Sequence, residues 1–353
     1  MSPNPIEIIL PKQYYLPGEP VFGKVRVDFQ EPFKTAGLSI LFTGGVSTEI
    51  VRNSRSQSTE GVGTAWQKTT VTTTTTRYHS SRSFVTQRIE LESAGELDGT
   101  KEYLFLFKLP ENAPPSFKDK FGQLNYYVSV FAQKAKRIGR TRRAQAEILV
   151  PALTPSPMRV RARTEDGIAP RIELVLNCHT TTPNGELQGE FVVNPAGAFN
   201  KAKLGIELDW WARAESEEES GRRNILLGEI PVNNVNAGAP VKFAVRLRNL
   251  EKAETFVDGE IYLRQSFLKV SLKRFMKSID LLVPVEIGFP SITDAETAIG
   301  SFPSSSNSRR GIIFDPSLRL QDYLEVQPAS DIPSDEASDI LKEDEDSSSD
   351  GEN

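Results

Sequence analysis

Apolar residues fall in short runs along the first 290 positions: Ile6–Leu10, Val21–Phe29, Leu38–Phe42, Phe84–Leu91, Tyr103–Phe107 and Leu124–Ala132. Each run has strand length and is rich in β-branched or aromatic side chains, which fit a pleated, half-buried surface. Between them stand turn formers, as in Leu16-Pro17-Gly18-Glu19 and Thr182-Pro183-Asn184-Gly185. No capped helical period of three or more turns is found before Pro290, and the acidic stretch Glu215–Ser220 reads as a hairpin loop. Many short strands separated by turns predict an all-β chain of antiparallel β-sandwiches.

The pattern also repeats. Shifting residues 6–42 forward by 166 positions lays them on 172–208 without a gap, and ten of 37 positions are identical. Pro17 meets Pro183, Gly23 meets Gly189, and Leu38 and Ile40 meet Leu204 and Ile206. Further on, Phe105, Phe107 and Leu109 match Phe243, Val245 and Leu247 at an offset of 138. A repeat of this length is a whole domain rather than a solenoid unit. The predicted organisation is two tandem β-sandwich domains, 1–152 and 153–290, joined at Pro151–Pro157 and followed by a Ser/Pro/acidic tail, 291–353. The first copy carries extra polar sequence, Ser54–Ser81, which reads as a long surface loop. The tail reads as mostly disordered, although Ile312-Ile313-Phe314 and Leu318–Val326 are apolar enough to dock.

Charge sharpens this division. The chain carries a net −5, but residues 330–353 hold ten acids and one lysine, so the rest carries about +4. Six cations crowd ten residues, Lys134, Lys136, Arg137, Arg140, Arg142 and Arg143, with Arg159, Arg161 and Arg163 shortly after. If 124–133 and 144–150 are neighbouring strands, those six sit at one hairpin tip. Such a tip would attract anionic lipid headgroups, phosphorylated segments or the chain's own acidic tail. Nucleic acid is not expected, because no aromatics are interleaved for base stacking. One cysteine cannot form an internal disulfide, no apolar run reaches membrane-spanning length, and the first residues resemble no leader, so a cytoplasmic protein is expected.

Catalytic chemistry finds little support. His79 lies in the polar insertion, and His179 adjoins Cys178, where neighbouring strand residues point to opposite faces. No Gly-rich phosphate loop, nucleophile elbow or zinc-ligand spacing occurs, so no catalytic residue, metal site or cofactor is assigned. In the tail, Glu336 with Ile340 and Leu341 approximates an acidic dileucine sorting signal. Ser334, Ser338, Ser347, Ser348 and Ser349 sit among acids and suit an acid-directed kinase.

Tyr15-Leu16-Pro17-Gly18-Glu19-Pro20-Val21-Phe22-Gly23-Lys24-Val25 resembles the opening strand-turn-strand of arrestin-fold proteins. Leu109-Pro110, Pro114-Pro115-Ser116-Phe117, Gly122 and Tyr126-Tyr127-Val128 resemble a stretch of the α-arrestins, the arrestin-domain-containing trafficking adaptors. The resemblance implies two immunoglobulin-like sandwiches and a non-enzymatic adaptor, peripheral to the plasma membrane or endosomes. It would bind the cytoplasmic tails of membrane-protein cargo and link them to endocytic, endosomal-sorting or ubiquitination machinery. The alternative is a soluble signalling scaffold of the same fold. The Pro-Pro-x-Tyr motif by which many α-arrestins recruit ubiquitin ligases is missing here, so a ligase would be reached through an intermediary.

Overall fold

Alternation of apolar and polar residues is realised as alternation of burial. In Gly122–Lys134, Leu124, Tyr126, Val128, Val130 and Ala132 point into a core while their neighbours are more exposed. The computed structural model describes residues 4–60, 68–135, 141–165, 171–194, 201–231, 239–247, 256–257, 260–274, 277–289, 291, 293–294, 297, 312–323 and 329–331. Seven strands build the first sandwich: β1 (Ile6–Leu10), β2 (Pro20–Glu60), β3 (Lys68–Glu92), β4 (Gly95–Lys108), β5 (Phe117–Lys118), β6 (Gly122–Lys134) and β7 (Arg142–Ile148). Strand β2 serves both layers. Its first half pairs with β1 and β4, and after an irregularity near Phe29–Gly37 its second half pairs with β3 and β6. Strand β7 extends the second layer through β6.

The second sandwich follows the same plan. It comprises β8 (Val160–Arg163), β9 (Arg171–Leu176), β10 (Thr180–Thr181), β11 (Glu186–Asn194), β12 (Lys201–Ala214), β13 (Glu217–Pro231), β14 (Val241–Arg246), β15 (Phe256–Val257), β16 (Tyr262–Arg274) and β17 (Lys277–Ile287). One sheet runs β14-β11-β9-β8 and the other β10-β17-β16-β12-β13. Ile172, Leu174, Phe191, Leu204, Ile206, Val270 and Val283 form part of its own buried cluster. The described part of the tail includes β18 (Ile312–Phe314), a 3-10 turn at Leu320–Tyr323, and β19 (Ser330–Asp331).

The two copies agree in detail. A Cβ at Gly23 would lie 2.3 Å from the Ile9 carbonyl and 2.9 Å from the Phe105 ring. A Cβ at Gly189 would lie 2.5 Å from the Val175 carbonyl and 2.9 Å from the Phe243 ring. Ile9 and Phe105 are the repeat counterparts of Val175 and Phe243, so one close backbone approach occurs twice. The register also slips at matching places, between Leu38 and Ser39 and between Leu204 and Gly205.

The polar insertion of the first copy is a paired ribbon, not a loop. β2 and β3 continue past the sandwich in unbroken antiparallel register, through Ser54↔Thr74 to Glu60↔Lys68. Threonine is a strong strand former, and a two-stranded ladder can form without a buried face. The expected Glu215–Ser220 hairpin is present, with Ala214 opposite Glu217 and Glu215 at φ 53° in the turn.

Candidate functional site

The described part of the tail lies on the first sandwich. β18 adds to the free edge of β1 in parallel, with Ile8↔Ile312, Ile9↔Ile313 and Leu10↔Phe314, and the Asp315 N–H donates to the Leu10 carbonyl at 2.8 Å. Tyr323 then packs on Phe22, with ring centroids 4.9 Å apart, and is only 2% exposed. Burial pushes the Tyr323 phenol upward in pKa, helped by Asp322, Asp315 and Glu102. Finally β19 adds to the edge of β3, with Ser330↔Arg88 and Asp331↔Gln87. The Ser330 hydroxyl donates to the Arg88 carbonyl at 3.3 Å, and Ala329 packs against the core cluster. The apolar triplet at 312–314 and the Leu318–Val326 stretch were the legible signals; the triplet docks, and so does Tyr323 of the second stretch, whose residues 324–326 lie outside the described ones. Strand addition at β3 carried no such signal, since Ser-Asp in an acidic tail reads as solvated.

A second constellation joins the sandwiches. Asp119, in the turn between β5 and β6, accepts hydrogen bonds from the Phe121 and Gly122 N–H groups at 2.8 and 2.9 Å. Its other oxygen accepts the Tyr262 hydroxyl and stands 3.9 Å from the buried Arg264 guanidinium. Burial, then the hydrogen bond to Asp119, holds the Tyr262 phenol well above its ordinary pKa. Tyr262 and Ala212, from the second sandwich, belong to the core cluster of the first. Phe121 stacks on Trp210 at 3.9 Å, and Phe117 on Tyr262 at 4.7 Å. Arg52 reaches Glu217 and Glu219 at 3.0 and 3.1 Å, and Thr48 donates to the Arg213 carbonyl at 2.5 Å. Single-sequence reading missed this contact, because nothing in a Phe-Lys-Asp-Lys-Phe turn names its distant partner.

The basic segment folds as the expected hairpin, with Tyr126–Ala132 of β6 opposite Arg142–Ile148 of β7. Lys134, Arg142 and Arg143 are exposed at its end, and the Arg143 guanidinium lies 5.2 Å from the Phe131 ring centroid and donates to Gln145 at 3.0 Å. Lys136, Arg137 and Arg140 lie outside the described residues. So do Glu336, Ile340, Leu341, Ser334, Ser338, Ser347, Ser348 and Ser349. Arg159, Arg161 and Arg163 sit on or beside β8 in the second sandwich, Arg159 within 4.0 Å of Glu190. His79 is exposed 3.9 Å from Glu49, whereas His179 is buried with Nδ1 beside the Met158 backbone, and the Cys178 thiol bonds Thr180. Among the described residues no group of three or more His, Cys, Asp or Glu side chains could hold a metal ion. No described helix is long and apolar enough to cross a membrane.

Residues 5–152 match the family model of the arrestin (or S-antigen) N-terminal domain, a span that holds β1 to β7. No curated protein matches the chain.

Proposed function

We propose that this chain, whose residues 5–152 match the arrestin N-terminal domain, is an arrestin-fold, non-enzymatic adaptor of the α-arrestin kind. It recruits membrane-protein cargo to endocytic, endosomal-sorting or ubiquitination machinery from a cytoplasmic, membrane-peripheral position. The observation that carries this reading is the pairing of β18 with β1. An edge strand that accepts a segment of its own chain offers backbone donors and acceptors to any extended segment that replaces it. The cytoplasmic tail of a cargo protein is such a segment. Units of 1–152 and 153–290 supply the rigid body, and 291–353 the regulatory tail. Lys134, Arg142 and Arg143, exposed together, support an auxiliary contact with anionic lipid, on the order of 1 kcal/mol per cation near a charged leaflet. A ubiquitin ligase, reached through an intermediary, and Glu336, Ile340 and Leu341 as a coat-binding signal complete the proposal.

Proximity labelling in the native cell tests it, comparing the full chain with one ending at Pro290. Transporters, receptors, coat components or ubiquitin ligases among the neighbours, in proportions changed by truncation, are the expected result. Neighbours confined to soluble signalling proteins would remove cargo sorting and leave the scaffold.

A further inference from the structure

The two sandwiches differ at one lateral seam, where the edge strand of one sheet faces that of the other. In the first sandwich the seam between β3 and β4 is latched. The Glu92 carboxylate accepts from Lys101 at 2.7 Å and from the Tyr103 hydroxyl at 2.7 Å, and Gln87 accepts from the Lys108 N–H at 3.0 Å. The matching register slips align Leu91 with Leu227, which puts Gly228 where Glu92 stands. The pairing of Phe105 and Phe107 with Phe243 and Val245 likewise puts Ala239 and Val241 at the places of Lys101 and Tyr103. The latch residues are thus replaced in the second sandwich. A groove of about 540 Å³ runs along its seam, lined by Ile225–Glu229 of β13 and Ala244, Val245 and Arg246 of β14. Leu226 at its rim is 58% exposed. β13 is the terminal strand of its sheet, and among the described residues nothing pairs with its outer edge.

What fits such an edge is visible at the first sandwich. Ser330 and Asp331 sit on β3 at Arg88 and Gln87, and Asp331 lines a groove shared with Lys108. The same alignment places Asn224 and Arg223 at the positions of Arg88 and Gln87, and Arg246 at that of Lys108. The second groove therefore keeps two cations at or beside its mouth, Arg223 and Arg246, over an apolar floor of Ile225, Leu227 and Val245. It suits an extended segment with an acid followed by an aliphatic residue. Residues 329–332, Ala-Ser-Asp-Ile, occur again without change at 337–340.

We propose that the β13–β14 groove is a strand-addition site for an Ala-Ser-Asp-Ile segment, supplied by residues 337–340 of a second copy of this chain. Backbone hydrogen bonds to β13 provide the register, the aspartate faces Arg223 and Arg246, and the isoleucine covers Leu226. The ligand motif and its groove are both duplicated, once in the tail and once in the body.

A labelled peptide with the sequence of residues 334–345 is titrated into the full chain carrying Ile340→Asp, whose own copy of the motif is spoiled. Saturable binding is expected, weakened about tenfold or more by Leu226→Lys, an exposed position where folding is not at stake. A closing variant, Gly228→Glu with Ala239→Lys and Val241→Tyr, installs the first sandwich's latch and should also abolish binding. A Cβ at Gly228 meets nothing within 4 Å, so the glutamate has room. Binding equal in all these chains, as when the peptide merely displaces β19 from β3, overturns the site. Sedimentation of the unaltered chain should show self-association that Ile340→Asp and Leu226→Lys each remove. A chain monomeric at every concentration overturns the second copy as the source.

Discussion

At the scale of single residues, the Asp119 carboxylate is the most consequential polar group, because it satisfies two backbone donors and the buried Tyr262 hydroxyl at once. Removing an acceptor that leaves buried donors unpaired costs about 1–3 kcal/mol, more than the net worth of any one of those bonds. Asp119→Ala should therefore lower thermal stability clearly more than Tyr262→Phe, which loses one bond worth about 1 kcal/mol; calorimetric Tm values of the two variants decide this. The glycines give a second contrast. Gly23→Ala and Gly189→Ala each drive a methyl into a carbonyl oxygen, at 2.3 and 2.5 Å, and should each destabilise strongly. Gly228→Ala meets open space and should be neutral or slightly stabilising, by up to about 1 kcal/mol. Denaturant midpoints measured side by side would reverse this ordering only if the two close approaches were misplaced. A glycine inside a strand is otherwise a loss, so the repeated Gly23 is legible in a sequence as a tight spot. It could not point to Asp119, whose partner Tyr262 lies 143 positions away.

Among the elements, the latch between β3 and β4 has a defined pH dependence. Hydrogen bonds from Lys101, then Tyr103, hold the Glu92 carboxyl below its ordinary pKa of 4.5. A lowered folded-state pKa means that stabilisation is fully present above the ordinary value and is lost as pH falls through the lowered one. Stability of the intact chain should accordingly fall faster with acid below about pH 4.5 than that of Glu92→Gln, with the two curves parallel above it; acid titrations of Tm measure the difference. β18 is a separable element. Its residues Ile313 and Phe314 are 39% and 45% exposed, so the pairing with β1 rests on the backbone ladder, the packing of Ile312 on the core and the anchoring of Tyr323. Proline cannot continue a ladder, so Ile313→Pro should raise amide exchange in Ile6–Leu10 while leaving the second sandwich unchanged. Equal exchange in both chains would mean that β18 contributes nothing to β1. The strands themselves were legible, since period-two alternation and Pro/Gly turns mark them in any sandwich. The ribbon of β2 and β3 was not, because its residues are polar on both faces and pattern reading depends on burial.

For the whole molecule, the repeat was the decisive signal, and it recovers the shared bulge and glycine approach as well as the layout. What the repeat could not convey is how the copies have diverged. The first sandwich is latched at its side and carries the tail on two edges, while among the described residues nothing pairs with the outer edge of β13 in the second. The sandwiches are joined by packing of Phe121 on Trp210 and Phe117 on Tyr262, with ion pairs from Arg52 at the margin. Exposed ion pairs of that kind add little, on the order of 0–1 kcal/mol each. The aromatic stacks and the Asp119 cluster therefore set how the two bodies meet. On the proposed reading, an adaptor of this build would work by exchanging one extended segment for another along a prepared edge, with no bond made or broken.

The central claim is that β1 offers cargo the edge that β18 now holds. A photo-crosslinking side chain placed at Glu7, which lies on β1 and is partly exposed, reads that edge in the living cell. With the tail intact, the product should be an internal link to residues 312–314; in a chain ending at Pro290, it should be the cytoplasmic segments of membrane proteins. Capture of no membrane protein after truncation, or the same capture with the tail in place, would contradict the claim.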